Sequence, residues 1–373
     1  MKITSVSVRR LSISSAPWYG GEIPAGQPKS FQFPLLEIQT DEGHTGHSMG
    51  YCPLGQGRGA SYQLADIYPR ILLGRNPLEH EALWQEMRLL HRHLYHCSEA
   101  NFGVVDVALW DLKGKILNQP IAVLLGLRRR SVGAYGTGFY FLNTPEEVAA
   151  EVRKLKARGY RGAKFNINKD VKTTIELCRA IRAEAGPDYP VMLDLNSYHN
   201  FQDALTIGRE VDRLGFYWFE EPIYERHVGR LAELARQLDT PLLSAETSSF
   251  GELGEYLRTG AVDLVRSDVL IKPGVTGLKK TVDACEVMGV GCEIHTCASP
   301  LLDLANLHVA MATNSCPWVE CHQDMFRFGM KKPLLDVSPD GLIHLPEGPG
   351  LGADLDWDWI ENHTEEIIEG KSC

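Results

Sequence analysis

Side chains that can bind a cation or transfer a proton recur at regular distances from residue 164 onwards. Each closes a short apolar run, as in VMLDLN, FYWFEEP and DLVRSD. The residues are Lys164, Asp194, Glu220, Glu246, Asp268, His295 and Glu320, and successive members are 30, 26, 26, 22, 27 and 25 residues apart. One strand with its following helix occupies about this length. The spacing therefore predicts one polar group at the end of each successive strand of a repeating strand–helix unit.

Three consecutive members of this series are acids, namely Asp194, Glu220 and Glu246. A single acid at a strand end is explained equally well by a helix N-cap or a surface charge, but the repetition is not. Three carboxylates that converge on one place would repel one another unless a cation held them. Oxygen ligands without Cys or His suit a hard ion. We therefore expect a Mg²⁺ site, with Mn²⁺ as the alternative.

Lys164 and Asn166 stand two residues apart in the short run YRGAKFN. Alternation along a strand would aim both side chains at the same side. One interpretation is an edge strand with a solvated face. The other interpretation, which the rest of the series favours, is that both side chains enter a functional site.

The elements that must position these groups alternate between short apolar runs and amphipathic helices from about residue 131. The first helix has a capping box, with Thr144 as N-cap, Pro145 at the first helical position and Glu147 three residues after the cap. Such alternation predicts parallel strands, in a doubly wound sheet or a barrel. Polar groups at the ends of seven or eight strands favour an α/β fold with a TIM-like (β/α) barrel, whose active site lies at the carboxyl ends of its strands.

Composition restricts the partners. The chain has 373 residues and a net charge of -10, so we expect no nucleic acid and no membrane as partner. The N-terminal run has no continuous apolar core of a signal peptide or transmembrane helix. Nine scattered cysteines predict reduced thiols and no zinc site. We expect a cytoplasmic protein that binds a small carboxylate substrate and forms a homo-oligomer.

The sequence resembles the mandelate racemase group of the enolase superfamily over nearly its whole length. The motifs are DLN at 194–196, WFEEP at 218–222, AE at 245–246, SDVLIKPGVTG at 267–277, CEIH ending at 295 and WVE ending at 320. Further similar stretches are VDVALWDLKGK at 105–115, PIAVLLGLRRRSVGAYGTG at 120–138 and LIHLPEGPGLGADLD at 342–356. The resemblance implies an N-terminal α+β capping domain over residues 1–125, a barrel over 126–330 and a C-terminal segment, 331–373, that returns to the cap.

The same resemblance implies a role for each residue of the series. Asp194, Glu220 and Glu246 would be the Mg²⁺ ligands, and Glu221 would not be one. Asp268 and His295 would form a catalytic dyad. Glu320, when protonated, would donate a hydrogen bond to a substrate carboxylate oxygen. The catalytic set implied by the family is therefore His295, Asp268, Lys164 and Glu320.

One position departs from the family. Members of the group usually carry Lys-x-Lys at the end of the second barrel strand, whereas this chain has Lys164 and then Asn166. Asn166 cannot accept a proton, so we interpret it as a substrate contact and Lys164 as an electrostatic contact. Racemisation needs a base on each face of the substrate. Because Asn166 is not a base, the sequence favours racemisation less. A syn elimination needs one group, and His295 can remove the α-proton and return it to the departing hydroxyl.

Substrate contacts are also expected from Asn196, after the third barrel strand, and from Trp18 and Tyr19, in a Gly/Pro-rich loop of the cap. The alternatives are an ordinary turn for Asn196 and plain surface aromatics for Trp18 and Tyr19.

The function expected is Mg²⁺-dependent removal of the proton next to a carboxylate, followed by loss of water from an aldonate or aldarate to give a 2-keto-3-deoxy acid. The alternatives are a racemase, epimerase or cycloisomerase on the same scaffold, and a catalytically idle metal-binding relative.

Overall fold

A computed structural model describes the chain except for residues 14–29, 53–56, 95–96, 139–141, 297–298, 323–326, 333–334 and 372–373. Trp18 and Tyr19, which we predicted as substrate contacts, lie outside the described residues. None of the described helices is both long and apolar enough to cross a membrane.

The N-terminal part is an α+β domain that covers the barrel. Its strands are β1 (Ile3–Ile13), β2 (Phe31–Thr40) and β3 (Thr45–Met49), and they pair antiparallel. Its helices are α1 (Gly57–Ile67), α2 (Pro69–Leu72), α3 (His80–His91), α4 (Glu99–Leu117) and α5 (Ile121–Leu124). Helix α4 is apolar on nearly every side, because it lies between the cap sheet and the barrel. Ser98 caps its first turn by accepting a hydrogen bond from the Ala100 N–H group.

Eight parallel strands form the barrel. They are β4 (Ser131–Gly138), β5 (Gly162–Asn166), β6 (Val191–Asp194), β7 (Phe219–Glu220), β8 (Leu242–Ser244), β9 (Leu264–Ser267), β10 (Gly291–Ile294) and β11 (Trp318–Cys321). Neighbours pair in chain order from β4 to β10, and β11 pairs with β4, so the ring is nearly closed. The expected fold class, a (β/α) barrel with an α+β cap, is confirmed.

Helices follow the barrel strands and surround them. They are α6 (Pro145–Ala157), α7 (Val171–Ala185), α8 (Phe201–Leu214), α9 (Val228–Ala235), α10 (Leu253–Thr259), α11 (Gly274–Val287) and α12 (Pro300–Met311). The predicted capping box of α6 is formed, with Thr144 and Glu147 each bonded to the other's backbone N–H group. These helices cover the outer face of the barrel, so the strands are buried on both faces. This burial explains why the strand sequences are continuously apolar.

The C-terminal segment contacts both domains. Strand β12 (Leu342–His344) pairs antiparallel with the first residues of β4. Helix α13 (Trp357–His363) and strand β13 (Thr364–Glu369) then lead to the cap, where β13 pairs with β1 at the edge of the sheet. The segment thus completes the cap after first extending the barrel. The domain limits at residues 125 and 330 stay predictions.

An apolar layer fills the barrel below the polar strand ends. It consists of Tyr135, Met192, Trp218 and Leu243, all fully buried. The layer excludes water from the barrel interior, so charged groups above it act in a medium of low polarity. Their pairing therefore decides which of them carry charge.

Candidate active site

The predicted polar residues meet at the carboxyl end of the barrel. Strand register places Asn166 beside Asp194, and Asp194 beside Glu220. Glu246, Asp268 and His295 follow the last residues of β8, β9 and β10, and Glu320 is the third residue of β11. All five residues of β5 are buried, so the edge-strand interpretation of Lys164 and Asn166 is wrong.

Lys164 lies at the centre of the acidic group. Its Nζ is 2.9 Å from Glu320 Oε1, 3.2 Å from Glu220 Oε1 and 3.4 Å from Asp194 Oδ2. Burial and the nearby Arg266 disfavour the ammonium, but the three carboxylates outweigh them and raise the pKa of Lys164 well above its ordinary value. These contacts therefore favour the cationic form of Lys164.

Arg266 is a second buried cation that the sequence analysis missed. It is on β9, fully buried, with Nε 3.0 Å from Glu220 Oε1 and Nη1 donating to the Tyr135 hydroxyl at 3.0 Å. Its Nη2 donates to Glu320 Oε2. The sequence could have indicated Arg266 as a site residue, because it stands two residues before Asp268 in an apolar run and alternation along a strand places both side chains on the inner face.

Glu320 is surrounded by donors. It accepts a hydrogen bond from the Thr137 hydroxyl at 2.6 Å and pairs with both Lys164 and Arg266. His322 Nε2 lies 3.3 Å from Glu320 Oε1. Burial alone would raise the pKa of Glu320, but Arg266 and Lys164 hold it well below its usual range. These contacts favour the ionised form of Glu320, which accepts hydrogen bonds here. Its role as a protonated donor to a substrate carboxylate stays a prediction.

Asp268 and His295 form the expected pair. His295 Nδ1 is 3.0 Å from Asp268 Oδ2, while Asp268 Oδ1 accepts the N–H groups of Leu270 and Ile271, each at 2.8 Å. These bonds fix the carboxylate. It therefore holds the imidazole with Nδ1 protonated, and Nε2 is the ring nitrogen that Asp268 does not contact. Burial lowers the pKa of His295, but the charge of Glu246 and the bond to Asp268 outweigh burial and raise it to about 9.

Asp194, Glu220 and Glu246 lie at or just after the ends of three adjacent strands without forming a compact trio. Lys164 contacts the first two, and Glu246 Oε2 is 3.9 Å from Arg266 Nε. Burial and Glu220 raise the pKa of Asp194 to about 7. Among the described residues, the tight group of ligand-type atoms, all within 4.8 Å of one another, is instead His295, Glu320 and His322.

The residues nevertheless fit Mg²⁺ better than a softer ion. All three acids offer oxygen, the donor that Mg²⁺ prefers, at the ends of three adjacent strands. The tight group contains two imidazoles, which suit other metals, and its carboxylate already contacts two cations. Asn166 adds a further oxygen, because its Oδ1 is buried and accepts no hydrogen bond from the part of the chain that the structure describes.

The two predicted amide contacts both adjoin Asp194. Asn166 Nδ2 donates to Asp194 Oδ2 at 2.8 Å and to Asn196 Oδ1 at 3.3 Å. The Asn196 N–H group donates to Asp194 Oδ1 at 2.8 Å. Asn166 occupies the position of the family's second lysine and orients Asp194 through its hydrogen bond to Oδ2. The amide of Asn166 cannot accept a proton as a lysine base would.

Strained backbone marks the same strand ends. Asn196, Ser197, Glu221 and Ala245 have positive φ values of 44°, 58°, 44° and 79°. Non-glycine residues rarely adopt this region, and they persist where the surroundings fix them. Glu221 provides one such constraint, because its Oε2 accepts the Ser197 hydroxyl at 3.0 Å and its Oε1 accepts the Ser244 hydroxyl at 3.1 Å.

Comparison with known proteins assigns the family. Residues 22–126 match the family described as Mandelate racemase / muconate lactonizing enzyme, N-terminal domain. Residues 147–359 match the one described as Enolase C-terminal domain-like. The chain belongs to this family, the mandelate racemase group of the enolase superfamily, as the sequence resemblance indicated.

Named relatives include both dehydratases and an isomerase. The chain is 33% identical over 326 residues to the arabinonate dehydratase of Saccharolobus solfataricus, covering 85% of this chain and 86% of that protein. It is 28% identical to the D-galactarolactone cycloisomerase of Agrobacterium fabrum, with 87% and 89% covered. A solved D-glucarate dehydratase from Agrobacterium tumefaciens, complexed with magnesium, has a TM-score of 0.87 at 30% identity, with 98% and 100% covered. These relatives agree with the expected class, a hydro-lyase with isomerases as relatives.

Proposed function

We propose that this protein is a Mg²⁺-dependent acid-sugar dehydratase that converts an aldonate or aldarate into a 2-keto-3-deoxy acid. The observation that carries the proposal is the asymmetry of the site. The hydrogen-bonded pair of Asp268 and His295 lies on one side. The position that a second base usually occupies holds Asn166, which is bonded to Asp194. One base on one face supports an elimination and does not support racemisation.

Asp194, Glu220 and Glu246 are the residues that would hold the metal, with Mn²⁺ as an alternative ion. When bound, Mg²⁺ supplies positive charge that offsets the negative charge developing on the substrate carboxylate. Lys164 and Arg266 are fixed cations in the same low-polarity region, so they also favour negative charge there without reorganising. We assign Lys164 to electrostatic stabilisation.

His295 carries the proton transfer in this proposal. In its neutral form, His295 donates Nδ1–H to Asp268 and takes the proton from the carbon next to the carboxylate on Nε2. A metal ion held by Glu246 would offset the negative charge that raises the pKa of the ring and would so favour this neutral form. The C–H electron pair forms the new double bond, the β-hydroxyl leaves, and the proton on Nε2 passes to that hydroxyl to give water. The resulting enol then becomes the 2-keto acid. One imidazole performs both transfers, so both occur on one face.

A screen of aldonates and aldarates with Mg²⁺ tests the proposal. The protein and its His295→Asn variant are incubated with each acid in D₂O, and 2-keto acid formation and α-deuterium uptake are followed by NMR. We expect 2-keto acid from a small group of substrates with the native protein alone. Deuterium uptake without loss of water would assign an epimerase instead.

A cycloisomerase is the second candidate, and its support is the similarity to the D-galactarolactone cycloisomerase. The same screen with added aldarolactones distinguishes it, because ring opening would consume the lactone and not the free acid. Mg²⁺ binding without turnover of any acid or lactone would assign a catalytically idle relative.

We further propose that the protein is a homo-oligomer in a reducing compartment. The described cysteines, which are all free thiols, support the reducing compartment.

A further inference from the structure

The turn after β8 places Glu246 at the mouth of the barrel, and its backbone is not in a relaxed conformation. Ala245 has φ of 79°, in the left-handed region that non-glycine residues rarely adopt. The turn closes on itself through the Ser248 hydroxyl, which donates to the Ala245 carbonyl at 2.8 Å. Conformations of this kind persist only where neighbouring groups fix them.

Lys272 is the neighbouring group that contacts the carbonyl side of this turn. Its Nζ donates to the carbonyl oxygens of Ser248, Glu246 and Ala245 at 2.6, 3.1 and 3.2 Å, and the Ser248 hydroxyl oxygen is 3.4 Å away. An ammonium has three N–H donors, so three carbonyls satisfy it completely. The side chain comes from the connection between β9 and α11, one strand further round the barrel.

This lysine is unusual for a buried charge. It is fully buried, and within the described residues no carboxylate lies within ion-pair distance of its Nζ. Buried ammonium groups normally require a paired anion or complete hydrogen bonding. Here neutral oxygens of one turn provide all of the hydrogen bonding. Backbone carbonyls that converge on one point are also the ligands that proteins use for monovalent cations.

The amide side of the same turn contacts acids. The Glu246 N–H group donates to Glu221 Oε1 at 3.3 Å, and the Thr247 N–H group donates to Glu225 Oε2 at 3.0 Å. Glu221 and Glu225 are both buried. The turn is therefore held between a cation on its carbonyl side and carboxyl groups on its amide side, which fixes the direction of the Glu246 side chain between them.

We infer that Lys272 is a positioning residue whose ammonium acts as a built-in monovalent cation, fixing the turn at Ala245–Ser248 so that Glu246 is held ready to bind the divalent metal. This inference rests on the proposed role of Glu246 as a metal ligand. Lys272 does not contact the mouth itself; it acts through the backbone of the ligand turn.

Removing the ammonium tests this role by chemical rescue. Lys272→Ala leaves room for a small cation beside the three carbonyls, whereas Lys272→Met fills the space with an apolar chain of similar length. Mg²⁺ alone is titrated into each protein by calorimetry, without substrate. We expect both variants to bind Mg²⁺ at least about tenfold more weakly than the native protein, since a mobile turn presents Glu246 in the correct position only part of the time.

Ammonium chloride should restore most of the Mg²⁺ affinity of Lys272→Ala and none of that of Lys272→Met. Tetramethylammonium chloride at the same concentration controls for ionic strength, since it is too large for the space of one ammonium. Lys280→Met removes a partly exposed lysine of α11 that pairs with Glu81 of the cap, and this variant should bind Mg²⁺ like the native protein. Native affinity in Lys272→Ala, or weak binding that ammonium does not restore, would overturn the inference.

Glu246→Gln separates this inference from the proposed function. If Glu246→Gln binds Mg²⁺ as tightly as the native protein, the proposed metal site is wrong. If Glu246→Gln binds weakly and Lys272→Ala binds normally, the metal site stands and the positioning role is wrong. Should Lys272→Ala fail to fold, Lys272→Met decides the point, because it preserves the packing of the side-chain stem, and unchanged Mg²⁺ affinity in it would overturn the role.

Discussion

His308 should make the stability of the protein depend on pH through the junction of barrel and cap. Its ring lies on α12, fully buried, where Nδ1 accepts the Ala122 N–H group at 3.1 Å and Nε2 donates to the Leu351 carbonyl at 3.1 Å. These bonds join a barrel helix to α5 and to the C-terminal segment. They require the neutral ring, because a proton on Nδ1 would remove the acceptor for Ala122.

Burial lowers the pKa of His308 from 6.5 to about 4. The unfolded chain therefore binds a proton at higher pH than the folded chain does, so the contribution of His308 is fully present above about pH 6.5 and is lost as pH falls towards 4. The difference of about 2.5 between the two pKa values corresponds to about 3 kcal/mol. By pH 4.5 most of this contribution, about 2 to 3 kcal/mol of the free energy of unfolding, should be lost from this residue alone.

Urea unfolding of the native protein and of His308→Gln, at several pH values from 4.5 to 7.5, measures this contribution. Glutamine can accept from the Ala122 N–H group and donate to the Leu351 carbonyl, but it does not titrate. Other titrating groups affect both proteins alike, so the difference between the two curves isolates His308. If the native and variant free energies run parallel over this pH range, the reasoning is refuted.

Four further substitutions test the site. Glu220→Gln should weaken Mg²⁺ binding more than tenfold in equilibrium dialysis and abolish turnover, since it removes one of the three carboxylates; activity that survives a chelator would contradict metal dependence. His295→Asn should abolish both product formation and α-deuterium uptake, because one imidazole makes both transfers; deuterium uptake without product would show that a separate acid exists. Lys164→Met should lower kcat at least tenfold at saturating substrate while retaining a trace of product, and loss of α-proton exchange in this variant alone would make Lys164 the base. Asn166→Lys should not increase dehydration but should permit slow α-proton exchange in D₂O, and a large gain in dehydration would place the base on β5.

The sequence was sufficient for the barrel and for the position of its polar strand ends. Spacing along the chain determines how often a strand ends, and alternation determines which side chains point inward. Both properties are local, so the pattern of residues alone places Asp194 and Glu220 at strand ends and Lys164 two residues before one. The capping box at Thr144 is local in the same way.

Pairing between strands could not be predicted in this way. Arg266 meets Glu320 across 54 residues of sequence, and their contact depends on the closure of the barrel. The lowered pKa of Glu320 follows from the contacts with Arg266 and Lys164, so the sequence alone could not give it. The contacts of Lys272 depend likewise on how the connection after β9 packs beside the turn after β8.

The pairing of β13 with β1 has a consequence for synthesis on the ribosome. Strand β1 ends at Ile13 and β13 begins at Thr364, 351 residues later. At about 5–20 residues per second, that length takes on the order of 20 to 70 seconds to translate. Throughout this time the nascent cap sheet has an unpaired edge on β1, of the kind that recruits foreign strands. A chaperone that covers this edge should therefore raise the yield of folded protein more than one that acts on the completed barrel.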